Sequence, residues 1–569
     1  MGNYADRVFK NAKVYSVALD DTETRAQALA IKDGKFVFIG TDEEANNWIG
    51  PETQVTDCNG GSLLPGFGDA HMHFACSVRR FGVADVSNAV TSLNTTPKEV
   101  IKNIQRMVKE FADEHPDYPV IHGMGWEHAW FSGALGSSYT FTRHDLDKAV
   151  NDRPVILDSA DGHIVMLNTA ALEAAGVDKD FPEPEHGILG RDEDGVPTGY
   201  IQEPVLIAPI VNRIPNQAYT DEQHRSAMLN AQELLASKGF TLISDCMEEP
   251  CYPIIKELAE DGKLKMRLDC VCGFNDATRE EDFNRLADMK KIYFVDDVLK
   301  LDTAKFFFDG NFAMLEPYTD EWCEANNLEK GSGTKDGLLW DVDHYNETVE
   351  KVQKAGFNIH VHSYGDLSTR LTIDAFENAQ KSDPEHKLRN IIAHCAWVSD
   401  SDKKRMGELG VIASIQPQWE MENPTANPAF NTMVGYDRYR EIYPNKSFWD
   451  NGVVVAFGSD FIVNYPEPIE AISVAMTRKY AKSNKFYENF KDEAAMAPEE
   501  CISLKQAIKG WTINPAYQFH REDVTGSIEI GKSAELVLLE KDIEQVAPED
   551  ICLINVKETV FKGETSYKA

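Results

Sequence analysis

Along the first 65 residues, apolar and polar positions alternate in short runs: Arg7 to Tyr15, Ala28 to Ile31, Lys35 to Ile39 beyond an Asp33-Gly34 turn, and Gln54 to Asp57. Alternation of this kind predicts half-buried strands. The far end of the chain has the same grammar, with Gly526 to Ile528, Ala534 to Leu539 and Val556 to Phe561 separated by turn residues such as Gly531-Lys532. Two β-rich ends around a long middle predict one small β-sandwich domain built from residues 1–65 and 520–569.

The middle has a different rhythm. Short apolar runs follow helix-length amphipathic stretches: Phe240 to Asp245 after Asp221 to Lys238, Phe357 to His362 after Tyr345 to Ala355, and Asn390 to His394 after Leu367 to Gln380. Val411 to Gln416 after Ser401 to Leu409 continues the series, with further strands expected at Ala304 to Asp309 and Val453 to Ser459. Repeated βα units with continuous apolar strands predict an α/β fold, a (β/α)8 TIM-like barrel over residues 66–519, whose chemistry sits where the strands end. Residues 120–215 break the rhythm with Gly- and Pro-containing turns such as Gly187-Ile188-Leu189-Gly190. They predict an insertion near the barrel mouth, either a cap or a passive elaboration.

Composition narrows the class. A chain of 569 residues with 42% hydrophobic and 26% charged content is that of a folded, enzyme-sized globular protein. A formal net charge of −36 argues against nucleic acid and anionic membrane surfaces as partners. The ten cysteines form no Cys-x-x-Cys pair and no dense framework, as expected of reduced thiols. The N-terminal residues have neither a basic nor an apolar leader segment, and no apolar run approaches the roughly 18 residues of a membrane span. A cytoplasmic protein is expected.

Candidate chemistry starts at Gly66-Phe67-Gly68-Asp69-Ala70-His71-Met72-His73. In a strand, residues i and i+2 share a face, so His71 and His73 can present both imidazoles to one metal ion. His362, His394 and Asp460 stand at the close of three other predicted strands, and borderline metals such as zinc accept imidazole nitrogen and carboxylate oxygen. His360 shares a face with His362, so either could serve. Lys305 opens the apolar run Phe306-Phe307-Phe308, where a buried ammonium needs a partner, a shifted pKa or chemical modification.

Together these motifs resemble the amidohydrolase superfamily, and most closely its YtcJ-like branch, which includes N-substituted formamide deformylases. The resemblance runs from Leu64-Pro65-Gly66 through Gly125-Trp126, Asp161-Gly162-His163 and Lys305 to His362-Ser363-Tyr364-Gly365-Asp366. It continues through His394, Ser414-Ile415-Gln416-Pro417, Gly458-Ser459-Asp460 and the tail around Thr525-Gly526. It implies metal ligation by His71, His73, His362, His394 and Asp460, with Lys305 carboxylated on its side-chain nitrogen as an anionic bridge, and one or two divalent ions, zinc before manganese or iron. It favours His362 over His360, and family habit suggests a homodimer. Ser363-Tyr364 stands where many relatives have an alanine and an aliphatic residue, and Gln418-Trp419 where they often carry a small residue and a histidine, which bears on substrate preference and leaves the ligands intact.

The function expected is metal-dependent hydrolysis of an amide-like C–N bond in a small N-acyl or N-formyl compound by metal-bound hydroxide, with Asp460 as the proton carrier. His163 is read as reaching over the site to steady the carbonyl oxygen, against the plainer alternative of a loop histidine. Trp126, Tyr364, Gln416 and Trp419 are the candidate substrate contacts; Trp126 is equally readable as core. The alternatives are a deaminase, which usually carries Glu three residues after the strand-five histidine where this chain has Gly365, a lactone or ester hydrolase, and a non-catalytic regulatory or scaffold protein.

Overall fold

In a computed structural model, eight strands lie side by side in chain order: β1 (Phe67–Met72), β2 (Phe240–Asp245), β3 (Arg267–Phe274), β4 (Leu299–Phe307), β5 (Asn358–Ser363), β6 (Ile391–His394), β7 (Ile412–Ile415) and β8 (Val455–Phe457). Every pairing between neighbours is parallel. The structure describes all residues except 1–3, 21–24, 93, 132–136, 161, 163, 185–186, 311–312, 316–317, 326–327, 332–336, 384, 386 and 423–426, and the side chains of 204–205 and 427–429.

Strands covered on both faces need continuous apolar sequence, and β6, β7 and β8 are buried along their whole length. The connecting helices start and stop on local signals. Ser399 caps Asp400–Leu409 by accepting from the Asp402 amide, and Gly410 ends that helix in the left-handed conformation. Asp341 caps Val342–Lys354 in the same way ahead of β5. This is a TIM-like barrel.

Among the described residues no ladder joins β8 back to β1, and a buried side chain closes the gap. Asp69 on β1 accepts from the Ser459 amide at 3.1 and 3.0 Å and from the His71 amide at 3.0 Å, while the Asp460 amide donates to the His71 carbonyl at 2.8 Å. Gly458 makes the approach possible, since a Cβ there would lie 2.7 Å from the His71 nitrogen. Register then sets depth: Lys305 on β4 pairs with His360 on β5, and Phe307 with His362 one layer further along.

The chain ends build two more sheets. One is ordered Lys35–Gly40, Ala28–Lys32, Arg7–Lys10, Gln54–Asp57; the other Glu564–Lys568, Val556–Phe561, Leu536–Leu539, Ser62–Pro65, Lys13–Tyr15, Arg25–Ala26. Phe9, Leu29, Phe36, Leu63, Leu536 and Val560 share one buried cluster. The run Arg7 to Tyr15, expected as one strand, divides between the sheets because Asn11 turns with φ +53. Gly526 to Ile528 is not a strand; Ile528 is buried there and its amide donates to the Ser16 carbonyl.

Contacts divide the chain into Met1–Phe74 with Gln232–Ala569, and Ala75–Ala231. The second unit holds a six-stranded sheet, Ile188–Arg191, Pro197–Gln202, Ile164–Leu167, Val155–Ser159, Ile121–Trp126, Ala84–Asp85, over a core that includes Val120, Ile156, Leu167 and Ile201. Among the described residues no helix is long and apolar enough to cross a membrane.

Candidate metal centre

His71 near the end of β1, His73 just beyond it, and Asp460 after β8 meet across the barrel seam. Asp460 Oδ1 lies 3.0 Å from His73 Nε2 and 3.5 Å from His71 Nε2. Asp460 and His394 both adopt left-handed backbone, φ +57 and +73, which non-glycine residues hold only when their surroundings enforce it. The His394 ring lies 4.9 Å from that of His71 and 4.6 Å from that of His362, so the four histidines form one group.

Each of three rings has its Nδ1 engaged. His362 Nδ1 is 3.1 Å from Asp309 Oδ1 and His394 Nδ1 is 2.8 Å from Gln416 Oε1; both partners accept, so each Nδ1 donates. Asp309, directly beyond β4, also accepts from the amides of Tyr364 and Gly365 and from Ser368 Oγ at 2.6 Å. Its carboxylate thus caps the positive end of helix Asp366–Ser382 while orienting His362. His71 Nδ1 faces His360 Nε2 at 2.9 Å.

Burial holds His71, His394 and His360 well below the ordinary imidazole range, reinforced for each by Lys305 and the neighbouring rings. Neutral imidazole is the form that ligates metal. Lys305 is itself 1% exposed, and burial pushes its ammonium down against the attraction of Cys246 and Asp460. Among the described residues its Nζ has no hydrogen-bond partner, and it sits 4.6 Å from the Phe307 ring centre. Asp460 Oδ1 is likewise buried without a hydrogen bond among the described residues. Imidazole nitrogens of His71 and His73 beside the Asp460 carboxylate oxygen, with a buried amine close by, form a donor set that suits a divalent cation.

Aromatic rings line the group on one side. Tyr364 stacks on His394 at 4.7 Å and 16°, and Trp419 lies 5.7 Å from His394 at 16°. Both belong to a cluster with Met314, Trp397, Tyr439 and Tyr443. Gln416 stands against His394. Beside Trp419, Glu420 is buried against Arg478 Nη1 at 3.3 Å and Asn445 Nδ2 at 2.9 Å, and burial raises its carboxyl to about 7 despite the arginine. Trp126 packs in the core of the Ala75–Ala231 unit, its Nε1 donating to the Leu157 carbonyl and its ring near Phe131 and Phe141. His163 and Asp161 lie outside the described residues. Sequence reasoning assigned no role to Asp69, Asp309 or Cys246; Asp69 lies inside β1, and Asp309 and Cys246 follow the ends of β4 and β2.

The model of the amidohydrolase family matches residues 54–567, and this chain belongs to that family. It is 25% identical over 583 residues to the N-substituted formamide deformylase of Arthrobacter pascens, covering 100% of this chain and 99% of that one. It is 24% identical over 554 residues to the YtcJ protein of Bacillus subtilis, covering 96% of each. Among solved structures, an uncharacterized metal-dependent hydrolase from Pyrococcus horikoshii OT3 shares its fold with a TM-score of 0.71 at 21% identity, over 95% of this chain and 99% of that one.

Proposed function

We propose that this chain is a metal-dependent hydrolase that cleaves an amide-like C–N bond in a small N-acyl or N-formyl compound. The observation that carries the reading is the convergence of His71 Nε2 and His73 Nε2 on Asp460 Oδ1, beside His362 and His394. Its full-length likeness to a formamide deformylase and to a metal-dependent hydrolase supports the same class. His71, His73, His362, His394 and Asp460 would hold one or two divalent ions, zinc foremost. The orphaned Nζ of Lys305 suits carboxylation to an anionic ligand. The reading also assigns residues 1–65 with 520–569 to a β-sandwich domain and 66–519 to the barrel, with 120–215 as an insertion.

A divalent ion there supplies Lewis acidity toward a carbonyl oxygen and lowers the pKa of water. The protein's share is orientation and proton handling. Asp309, Gln416 and His360 each engage the Nδ1 of one imidazole, which leaves its Nε2 as the nitrogen for the ion. Asp460 Oδ1 takes a proton from the attacking water and returns it to the leaving nitrogen, work that requires hydrogen-bond reach to both. Tyr364 and Trp419 form an apolar wall for the substrate beside His394.

Deamination is the weaker reading. A Cβ at Gly365 would lie 2.0 Å from the Ala313 carbonyl oxygen, so no carboxylate side chain fits at that position. The test is amine release from a panel of N-formyl and N-acyl amines by zinc- or manganese-loaded protein. Asp460→Asn should lower kcat by about 100- to 10,000-fold, the range for one acid–base group, while the variant keeps most of its metal. Full turnover in metal-loaded D460N would remove the proton-carrying role, and wild-type protein that binds no divalent ion would favour a non-catalytic protein.

A further inference from the structure

His362 and His394 have conventional partners at Nδ1, a carboxylate and an amide oxygen. His71 does not. Its Nδ1 faces another imidazole, His360 Nε2, at 2.9 Å, with both rings buried and their centres 4.9 Å apart. Only one of the two nitrogens can carry the hydrogen. For His71 Nε2 to present a lone pair beside Asp460, the His71 proton must be on Nδ1, and His360 Nε2 must accept it. The His360 proton is then on its own Nδ1, which points at Cys246 Sγ 3.7 Å away. The sulfur accepts in turn, and the Cys246 S–H turns to the Ser244 carbonyl at 3.9 Å.

We infer that His360 is a positioning residue, and that Ser244, Cys246 and His360 form a neutral hydrogen-bonded chain that fixes His71 in the tautomer able to ligate metal through Nε2. The inference rests on the metal centre proposed above. It differs from the arrangement at His362 in one chemical respect: the partner of His71 brings no negative charge, so His71 stays a weaker, more exchangeable ligand than a carboxylate-backed histidine. It also assigns the closeness of His71, His360 and Cys246, whose donor atoms fall within 4.8 Å of one another, to hydrogen bonding. Two imidazole nitrogens on one tetrahedral zinc, each about 2.05 Å from it, stand about 3.3 Å apart, wider than the 2.9 Å found here.

The experiment compares the full-length wild type with His360→Leu, His360→Gln and Cys246→Ser. Zinc affinity is read by competition with a chromogenic chelator, ligand geometry by the visible spectrum of the cobalt-substituted protein, and folding by circular dichroism. H360L should weaken zinc binding about 10- to 100-fold, the usual effect of losing a ligand's hydrogen-bond partner, and shift the cobalt bands. H360Q, whose Oε1 can still accept from His71 Nδ1, should restore most of the affinity and the wild-type bands. C246S should keep the same zinc stoichiometry. Wild-type affinity and spectrum in H360L overturn the proposal, as does an H360Q variant that folds but binds as poorly as H360L. Loss of one zinc equivalent in C246S would instead mean that the chain is a metal site. If H360L does not fold, H360Q against wild type still decides. Wild-type protein that binds no zinc would sink the metal reading itself, an outcome separate from all of these.

Discussion

Gly458→Ala tests whether the barrel seam sets the geometry of the centre. The added methyl would lie 2.7 Å from the His71 nitrogen, 2.8 Å from its Cβ and 2.9 Å from its carbonyl oxygen. Comfortable carbon contact begins near 3.5 Å, so β1 and β8 must part by roughly 0.6–0.8 Å to admit it. His71 is on one side of that seam and Asp460 on the other, with only 3.5 Å between His71 Nε2 and Asp460 Oδ1. Functional groups must be held within about 0.5 Å of their working positions, and a misplacement near 1 Å can cost about 100-fold in rate. G458A should therefore fold, lose about 1–3 kcal/mol of stability through overpacking, and bind zinc at least about 10-fold more weakly. Gly310→Ala is the control, because among the described residues outside its chain neighbours its methyl would meet nothing nearer than the Leu339 side chain at 3.4 Å. Urea denaturation and chelator competition on both variants measure the two effects. A G458A protein that binds zinc like wild type would refute the link between seam and site.

Lys305→Met should stabilise chelator-treated protein by about 1–3 kcal/mol, the cost of an unsatisfied buried polar group, and should destabilise zinc-loaded protein. Equal loss in both states would make Lys305 an ordinary packed lysine. Glu420 predicts a pH dependence. Its folded pKa of about 7 stands above its ordinary 4.5, so the folded state keeps a proton that the unfolded chain releases. That contribution is complete below pH 4.5 and is lost as pH rises toward 7, at about 1.4 kcal/mol per pH unit for one proton. Glu420→Gln should flatten the stability-against-pH curve between pH 5 and 7 relative to wild type, and parallel curves would contradict the assignment.

The barrel was legible because several of its strands are short apolar runs with histidine or aspartate at or just beyond their ends, a pattern visible at Ile391–His394 without any coordinates. Depth inside the barrel was not. His360 and His362 share a face by alternation, and only the register that pairs His360 with Lys305 and His362 with Phe307 separates a supporting histidine from a candidate ligand. Local backbone conformation was equally hidden. One left-handed residue, Asn11, sends a continuous alternating run into two sheets. The strands of the Ala75–Ala231 sheet are short and interrupted by Gly123, Gly125 and Gly199, so no sustained period marked them. Asp69 reaches the Ser459 amide, and Asp309 the Tyr364 and Gly365 amides, all distant in sequence, which no motif spacing could disclose.

The buried pair Arg7–Glu558, 2.7 Å apart with both side chains nearly inaccessible, joins positions 551 residues apart and so imposes an order on biogenesis. At about 5–20 residues per second, the ribosome needs roughly 30–110 seconds to deliver the partner of Arg7. Throughout that interval the apolar strands Ala28–Lys32 and Ser62–Pro65 lack the Leu536–Leu539 and Val560 surfaces that cover them in the finished protein. The nascent chain therefore carries an open sheet edge until Leu536–Leu539 emerges, a natural point of engagement for chaperones and the place where slow or interrupted translation would lead to aggregation.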